Sequence, residues 1–233
     1  NATRKQWVES MEKVSKMNFQ AMSNTWLKQT NFPIVEIQTE YKSGNAIIKI
    51  SQKNIKDKKP WEFPLNITLV DKNGKITNSL IKRVSGYKDE VIFNDVSKPE
   101  LFSINAGYSF YGKVEYKQSL SELYKQVRLD PDLINKYIAF YKIAETEKTK
   151  LLKNKENKVS DEFAELFYSL LTNEELTNKT GSLMLAITQT VDDEKFRHKY
   201  QELYEVREKI LKTIATKYKK NLFEIYLKYS TRI

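Results

Sequence analysis

The stretch at residues 24–38, NTWLKQTNFPIVEIQ, decides how the chain is organised, because the spacing of its apolar residues changes there. Before it, apolar residues recur every three or four positions, which is typical of an amphipathic helix. After Pro33 they alternate, with Val35 and Ile37 on one side of the segment and polar side chains on the other. Proline disfavours a helical conformation in the residue before it. The pattern therefore predicts a helix that ends in this stretch and a half-buried strand that follows.

Composition limits the class of protein. The chain has 233 residues, of which 40% are hydrophobic and 30% charged, as in a soluble globular protein. It contains no run of about 18 apolar residues that could span a membrane, and its first residues lack the pattern of a signal peptide. The absence of cysteine excludes disulfides and thiolate metal sites and fits a reducing compartment. We therefore expect a cytoplasmic protein without membrane contact.

The formal net charge of +10 raises the question of nucleic-acid binding. The basic excess is spread along the chain, and its densest run, Lys53–Lys59, falls in a predicted loop between strands. A lysine-rich solvated surface is the simpler interpretation. We expect no nucleic-acid partner and keep this function as a third alternative.

The spacing of apolar residues divides the chain into three predicted segments. Residues 1–33 predict one or two helices, residues 34–118 a β-sandwich of about seven short strands, and residues 119–233 five or six antiparallel helices in a bundle or the first turns of a solenoid. The fold class is thus multidomain α and β. The first segment has an apolar stripe that needs a partner surface, formed by Trp7, Met11, Val14, Phe19, Met22, Trp26 and Leu27.

Turn signals place the strands. Asp71–Gly74 contains Asn-Gly, which tolerates the positive φ angles of tight hairpin turns. Lys42–Asn45 is a second predicted hairpin connection. The last strand is predicted from the alternation of Tyr108, Phe110, Val114 and Tyr116, with Gly112 as a bulge.

Capping patterns place the helices. Ser119 and Glu122 form a capping box for a helix that runs to about Leu129. Asp130 and Pro131 predict the N-cap and first position of the next helix. The buried side of that helix is predicted to carry Leu133, Tyr137, Phe140, Tyr141 and Ala144. Further helix starts are predicted at Ser160-Asp161, at Thr172 with Glu175 and at Thr190 with Asp193, and one last helix over about Leu203–Tyr229.

A search for catalytic chemistry finds no site. His198 is the single histidine, and with Glu202 it offers only two ligands, which do not close a metal site. The carboxylate clusters at Asp130/Asp132, Asp161/Glu162 and Asp192–Glu194 fall at predicted helix starts, where they complement the helix dipole. Nucleophile elbows and glycine-rich phosphate loops are absent from the sequence. We therefore expect no catalytic, cofactor-binding or metal-binding residues in this chain.

The order of short motifs, in contrast, resembles a known family over nearly the whole chain. The motifs are Ala2-Thr3, Trp7–Glu12, Trp26–Gln29, Phe32–Val35, Ile50–Gln52, Phe63–Leu69, Asp71–Lys75, Val91–Val96, Lys113–Tyr116, Asp161–Phe163 and Leu222–Tyr226. Together they are similar to the bacterial aminopeptidase N (alanyl aminopeptidase) family, which are zinc metallopeptidases of the gluzincin class. The segment Ala106–Gly112 departs from the Phe-Ser-Ala-Pro-Val type of sequence usual there.

This resemblance implies that the chain is the part of such an enzyme that follows the active site: the end of the catalytic domain, the sandwich and the first helices of the C-terminal domain. The family's His-Glu-x-x-His helix, its glutamate ligand and its Gly-x-Met-Glu-Asn motif have no counterpart here. The resemblance implies that the parent enzyme removes N-terminal residues from peptides with a zinc-activated water and a glutamate base. This segment would space and enclose the catalytic chamber, and its partner would be the upstream catalytic domain.

Two interpretations remain open from the sequence. Because no methionine stands at Asn1, we expect a fragment of a longer polypeptide, inactive by itself. The alternative is a free-standing scaffold that binds a protein through the apolar helical surface around Trp7 and Trp26. Under the first interpretation the same surface marks the place of the missing catalytic domain, so we expect it to be poorly covered within this chain.

Overall fold

The computed structural model describes residues 3–53, 59–154, 156–176 and 198–230, except for the side chain of Tyr229. In order, its helices and strands are α1 (Arg4–Ser15), α2 (Gln20–Lys28), β1 (Ile34–Lys42), β2 (Asn45–Lys53), β3 (Phe63–Val70), β4 (Ile76–Val84), β5 (Lys88–Phe93), β6 (Leu101–Ile104), β7 (Lys113–Tyr116), α3 (Leu120–Leu129), α4 (Leu133–Lys153), α5 (Asp161–Leu171), α6 (Glu174–Leu176), α7 (Tyr200–Lys217) and α8 (Lys219–Ser230). The chain divides into two compact units, residues 1–136 and 137–233. The predicted fold class is confirmed, and the exact domain borders stay a prediction.

The strands form a sandwich of two sheets. One sheet has the order β5-β2-β1-β7, and the other has the order β4-β3-β6. All neighbours are antiparallel except β1 and β7, which run parallel. The inward residues of the two sheets build one core, whose fully buried members include Val35, Ile48, Phe63, Leu65 and Ile67.

The predicted change from helix to strand is confirmed. Helix α2 ends at Lys28, and β1 begins at Ile34. Gln29 already has an extended backbone, and Asn31 has a φ of 75°, so the helix cannot continue. Val35 and Ile37 then face the core, as alternation predicts for a half-buried strand.

The two predicted hairpin turns differ in their chemistry. Ser43 and Gly44 have φ angles of 50° and 80°, the pattern of a two-residue type I′ turn. In the Asn-Gly turn only Gly74 has a positive φ, of 78°. There the Asp71 carboxylate accepts hydrogen bonds from the backbone N–H groups of Asn73 and Lys75 at 2.8 and 2.9 Å. These two bonds lower the pKa of Asp71 and close the turn from its first residue.

The prediction for the last strand is wrong in its first half. Residues Ala106–Tyr108 form a 3-10 turn, and β7 begins only at Lys113. Asn105, Gly107 and Tyr108 have positive φ angles that a strand does not allow. Gly112 precedes the strand, and a Cβ atom there would lie 2.7 Å from the Pro33 carbonyl oxygen, so close packing explains this glycine better than a bulge.

The capping box of Ser119 and Glu122 is confirmed, and α3 ends at Leu129 as predicted. The predicted N-cap Asp130 is wrong by two residues. Asp132 caps α4 instead, because its Oδ1 accepts a hydrogen bond from the N–H of Asn135 at 2.8 Å. Asp130 itself is fully buried and accepts a hydrogen bond from Ser103 Oγ.

The other helical predictions are confirmed in part. On α4, Phe140 and Ala144 are buried, but Tyr137 and Tyr141 are exposed. The predicted apolar side of α5 is confirmed, since Phe163, Leu166, Phe167 and Leu170 are all buried. Residue Asn173, rather than Thr172, accepts the hydrogen bond at the start of α6. The predicted helix start at Thr190 lies outside the described residues.

The last predicted helix is two helices. The break lies at Tyr218, between α7 and α8, where the backbone has φ −111° and ψ 24°. The Tyr218 ring stacks on Tyr168 of α5 with 4.0 Å between centroids and 7° between planes. Val206, Ile210 and Ile214 on α7 are buried as predicted.

Candidate interaction surface

The two N-terminal helices are joined to each other by one carboxylate. Thr3 caps α1 in a capping box with Gln6. Glu12 of α1 accepts a hydrogen bond from the N–H of Phe19 at 2.7 Å, at the start of α2, and another from the Gln20 side chain at 3.3 Å. A carboxylate at a helix N-terminus binds N–H groups that have no partner within the helix. Glu12 therefore fixes how α2 follows α1.

Helix α2 is attached to the sandwich through two tryptophans. The Trp26 ring lies 4.9 Å from the Trp61 ring, at an angle of 58°. The indole Nε1–H of Trp26 donates a hydrogen bond to the Glu62 carbonyl oxygen at 2.7 Å. Trp61 is held in turn by Gln52, whose side chain bonds both the N–H and the C=O of Trp61 at 2.8 and 2.7 Å. The sandwich thus holds α2 through Trp61 and the Glu62 carbonyl group. We call this contact the seat of the N-terminal helices.

A charged pair strengthens this seat. The Glu62 side chain is only 6% exposed. The Arg83 guanidinium forms an ion pair with the Glu62 carboxylate and also donates to the carbonyl oxygen of Asn18, between α1 and α2. Because a buried carboxylate without a partner is costly, Arg83 both compensates Glu62 and holds the helices.

The other side of these helices is exposed. Trp7 is 58% exposed, Val14 84% and Leu27 55%. We call these three residues the exposed apolar set. Single exposed apolar residues are ordinary, but an exposed tryptophan and two exposed aliphatic residues on one short helical pair make these helices a candidate contact surface.

The prediction of a poorly covered stripe is therefore correct for only part of it. Trp26 packs on the sandwich core, and Val8, which the predicted stripe did not include, is buried. Met11, Phe19 and Met22 are half-buried. The stripe faces two ways, because one side lies on the sandwich and the other side forms the exposed apolar set.

A second polar centre lies where α3 meets α4. Asp130 is fully buried, and its carboxylate accepts hydrogen bonds from Ser103 Oγ at 2.9 Å, Gln126 Nε2 at 3.2 Å and the N–H of Asp132 at 2.9 Å. Asn135 Nδ2 donates to Ser103 Oγ at 3.0 Å. We call this set the Asp130 network. Burial raises the pKa of Asp130, and the hydrogen bonds partly offset that rise. The network connects β6 to the helical corner.

No metal-binding arrangement occurs in the part of the chain that the structure describes. In those residues no group of three or more His, Cys, Asp or Glu side chains could hold a metal ion. His198 is exposed, as expected of a surface histidine, and the residues Asp192–Glu194 lie outside the described ranges. The donor set therefore does not fit a zinc site within these ranges, and the absence of catalytic residues from the whole chain stays a prediction.

The lysine-rich run is described only at its ends. Lys53, at the end of β2, pairs with Glu36 of β1 at 3.2 Å and with Glu115 of β7 at 3.3 Å, so it connects three neighbouring strands. These bonds raise the pKa of Lys53, and those from Lys113 and Lys53 lower the pKa of Glu115. Lys53 thus serves an ion pair within the sandwich.

Comparison with known proteins agrees with this architecture. Residues 32–117 match the model of a domain of unknown function, DUF3458, with an Ig-like fold. Residues 120–232 match the model of its companion domain, DUF3458_C, formed of ARM repeats. The crystal structure of Legionella pneumophila aminopeptidase A in complex with aspartic acid is similar to this chain, with a TM-score of 0.74 and 18% sequence identity. The chain has the fold of an aminopeptidase segment.

The extent of this likeness is as informative as its score. The match covers 97% of this chain but only 27% of the Legionella chain. The match therefore extends over nearly all of this chain and about a quarter of the Legionella chain. No helix in the described ranges is long and apolar enough to cross a membrane.

Sequence reasoning missed several residues of these centres. Trp61, Glu62 and Arg83 carry no local signal, because each acts on a helix far away along the chain. The Asp130 network was missed because aspartate before proline is an ordinary helix start. Ser103 is buried and lies opposite Thr68 of β3 in the sheet. Its burial follows from this strand pairing, which the local sequence does not show.

Proposed function

We propose that this chain is a non-catalytic structural segment of a zinc-dependent aminopeptidase that removes N-terminal amino acids from peptides. The observation that carries the proposal is the match of 97% of the chain to 27% of a longer aminopeptidase chain. The ordered motifs from Trp7–Glu12 to Leu222–Tyr226 support the alanyl aminopeptidase type. Zinc and the catalytic residues are assigned to the upstream catalytic domain, since this chain has a single histidine.

In this proposal each part of the chain has a mechanical role. The sandwich spaces the catalytic domain from the helical domain, and the helices help to enclose the chamber that admits peptides. The exposed apolar set is the contact for the catalytic domain, because Trp7 and Leu27 are more than half exposed while Trp26 fixes the same helices to the sandwich. The cysteine-free composition supports a cytoplasmic enzyme.

The inactive-segment claim has a direct test. The purified chain is incubated with zinc and an alanyl chromogenic substrate, beside an intact aminopeptidase as positive control. We expect no turnover by the chain. Robust hydrolysis that a chelator abolishes would contradict the proposal, because it would require a metal site within these 233 residues.

The second candidate is a free-standing scaffold that binds a protein partner, which the exposure of Trp7 and Val14 favours as a contact surface. The reading frame that encodes the chain separates the two candidates. An upstream segment with His-Glu-x-x-His in the same frame supports the aminopeptidase. A start codon directly before Asn1 supports the scaffold.

A further inference from the structure

The strand β1 has an open edge over its last five residues. Its parallel partner β7 ends at Tyr116, opposite Ile37, whereas β1 continues to Lys42. The other edge of β1 is paired with β2 along its whole length. Beyond Ile37, β1 is therefore paired on one side only.

The register shows which backbone groups face the open edge. Lys42 and Asn45 flank a two-residue turn, so they form a hydrogen-bonded pair of the β1–β2 ladder. Such pairs alternate along an antiparallel ladder, so Thr39 and Tyr41 direct their N–H and C=O groups away from β2. The hydrogen bond from Lys113 N to the carbonyl oxygen of Pro33, directly before β1, at 3.0 Å, agrees with this alternation, in which the backbone groups of odd-numbered residues point toward β7.

A cleft of about 460 Å³ lies against this open edge. Within the described ranges, the hydrogen bonds that Thr39 and Tyr41 form outside the ladder are made by their side chains. Thr39 Oγ1 bonds Tyr116 Oη at 2.9 Å, and Tyr41 Oη donates to the Val96 carbonyl oxygen at 3.0 Å. These bonds hold the side chains of Tyr116 and Tyr41 in place, and both line the cleft. The cleft is also lined by Pro99, by Leu101 and Phe102 at the start of β6, and by Lys125 of α3.

The charges around the cleft are mostly used within the chain. Glu100 pairs with Lys125, and Glu122 accepts hydrogen bonds from Ser119 in the capping box. Glu40 and Lys98 also line the cleft, and they form no ion pair with any residue that the structure describes. The cleft thus offers one carboxylate, one ammonium, aromatic walls and an unpaired strand edge.

We propose that this cleft binds an extended peptide by adding it as a short strand beside Thr39 and Tyr41, in line after β7. Strand addition uses main-chain hydrogen bonds for affinity and side-chain pockets for selection. From Gln38 to Lys42 the open edge is about 13 Å long at 3.3 Å per residue, which accommodates about four or five peptide residues. A peptide with one lysine and one glutamate complements Glu40 and Lys98.

The inference rests on the proposed function for its choice of ligand, because a peptidase meets peptides from solution. We therefore commit to a peptide in trans rather than a second copy of the chain. The site lies in the sandwich unit and needs no catalytic residue. Binding of a blocked peptide, which an aminopeptidase cannot hydrolyse, separates failure of this inference from failure of the proposed function.

The probe is the blocked peptide acetyl-Lys-Val-Thr-Val-Glu-amide, titrated into the ¹⁵N-labelled chain. We expect the amide signals of Thr39 and Tyr41 to shift in a saturable way. Two control peptides carry backbone N-methyl groups, one on both valines and one on the threonine. Since alternate residues of an added strand face its neighbour, one control should bind about tenfold more weakly and the other about as well as the probe.

Two variants test the same edge from the protein side. Thr39→Pro removes the N–H that faces the cleft, and Thr39→Val removes the hydroxyl but keeps the N–H. We expect T39P to weaken binding about tenfold and T39V to leave it within about twofold. If T39P does not fold, the N-methylated peptides still decide the question, because they leave the protein unchanged.

Three results overturn the proposal. The first is no saturable shift at Thr39 and Tyr41. The second is equal binding of the probe and both N-methylated peptides. The third is a set of shifts along β4, an edge strand of the other sheet, instead of along β1, since this would indicate unspecific pairing with any exposed edge.

Discussion

The sandwich holds its helices at two places in opposite ways. At the Asp130 network, a fully buried carboxylate joins β6 to the corner of α3 and α4. At the N-terminal seat, Trp26 and Arg83 hold α1 and α2 on one side, and the exposed apolar set faces outward on the other. The first junction is closed within the chain, whereas the second leaves three apolar side chains exposed. The contrast is therefore between one junction that is fully buried and one that keeps exposed apolar residues beside it.

Removal of the Asp130 carboxylate should have the largest effect. In Asp130→Ala the hydroxyl of Ser103, the amide of Gln126 and the N–H of Asp132 all lose their acceptor in a buried place. We expect the free energy of unfolding to fall by about 3 kcal/mol, measured by urea denaturation. Asp130→Asn is the matched control, since it keeps the shape and one acceptor oxygen, and it should lose less. A loss below about 1 kcal/mol in D130A would show that the network is not a closed junction.

The seat of the N-terminal helices should be the next most sensitive. Arg83→Met leaves the Glu62 carboxylate without its cation and the Asn18 carbonyl without its donor. Because Arg83 is partly exposed, water can replace some of this, and we expect a loss of about 2 kcal/mol. The double variant Arg83→Met with Glu62→Gln removes the charge as well, so it should recover part of the loss. Equal stability of the single and double variants would contradict a role for Arg83 in compensating Glu62.

Stability should also respond to pH in opposite directions at Asp130 and at two other aspartates, Asp161 and Asp71. Burial raises the pKa of Asp130 above its ordinary 3.8, so protonation favours the folded state there. Its stabilisation is complete below pH 3.8 and is lost as pH rises through the raised folded value. Asp161 and Asp71 have lowered pKa values, and their stabilisation is present above pH 3.8 and lost as pH falls through the folded values.

The measurement is the difference in unfolding free energy between the wild type and Asp130→Asn, followed from acidic to neutral pH. Asparagine does not titrate, so the difference isolates Asp130. We expect the wild type to lose stability relative to D130N as pH rises from 3.8. A difference that does not change with pH, or changes in the other direction, would show that burial does not raise this pKa.

The outcome of sequence prediction follows the distance between interacting residues. The alternation of Val35 and Ile37 and the capping box of Ser119 with Glu122 involve neighbours a few residues apart, and both are confirmed. The predictions for the start of α4 and for the end of α7 were wrong, because the residues that decide these positions have partners far away along the chain. Asp130 is bound by Ser103, 27 residues away, and Tyr218 stacks on Tyr168 of another helix. Local patterns do not contain such partners.

The same reason limits what the sequence shows of the candidate sites. The apolar stripe of residues 1–33 was visible in the sequence, but not which of its tryptophans is covered. That depends on Trp61 and Glu62, which lie on the approach to β3. The peptide cleft depends on where β7 stops opposite β1, and this is a property of the parallel pairing rather than of either strand alone.

The smallest effect is expected at Trp7, and it is the sharpest test of the comparison. Trp7→Phe and Trp26→Phe remove the same atoms from two tryptophans of the same helical pair. Trp26→Phe loses the hydrogen bond from Nε1 to Glu62, so it should cost about 1 kcal/mol, whereas the 58% exposed Trp7 should change stability by no more than about 0.5 kcal/mol. Thermal and urea unfolding of the two variants measure both values. An equal cost at both positions would mean that Trp7 is already covered within the chain, and the contact assigned to the catalytic domain would then have no surface to use.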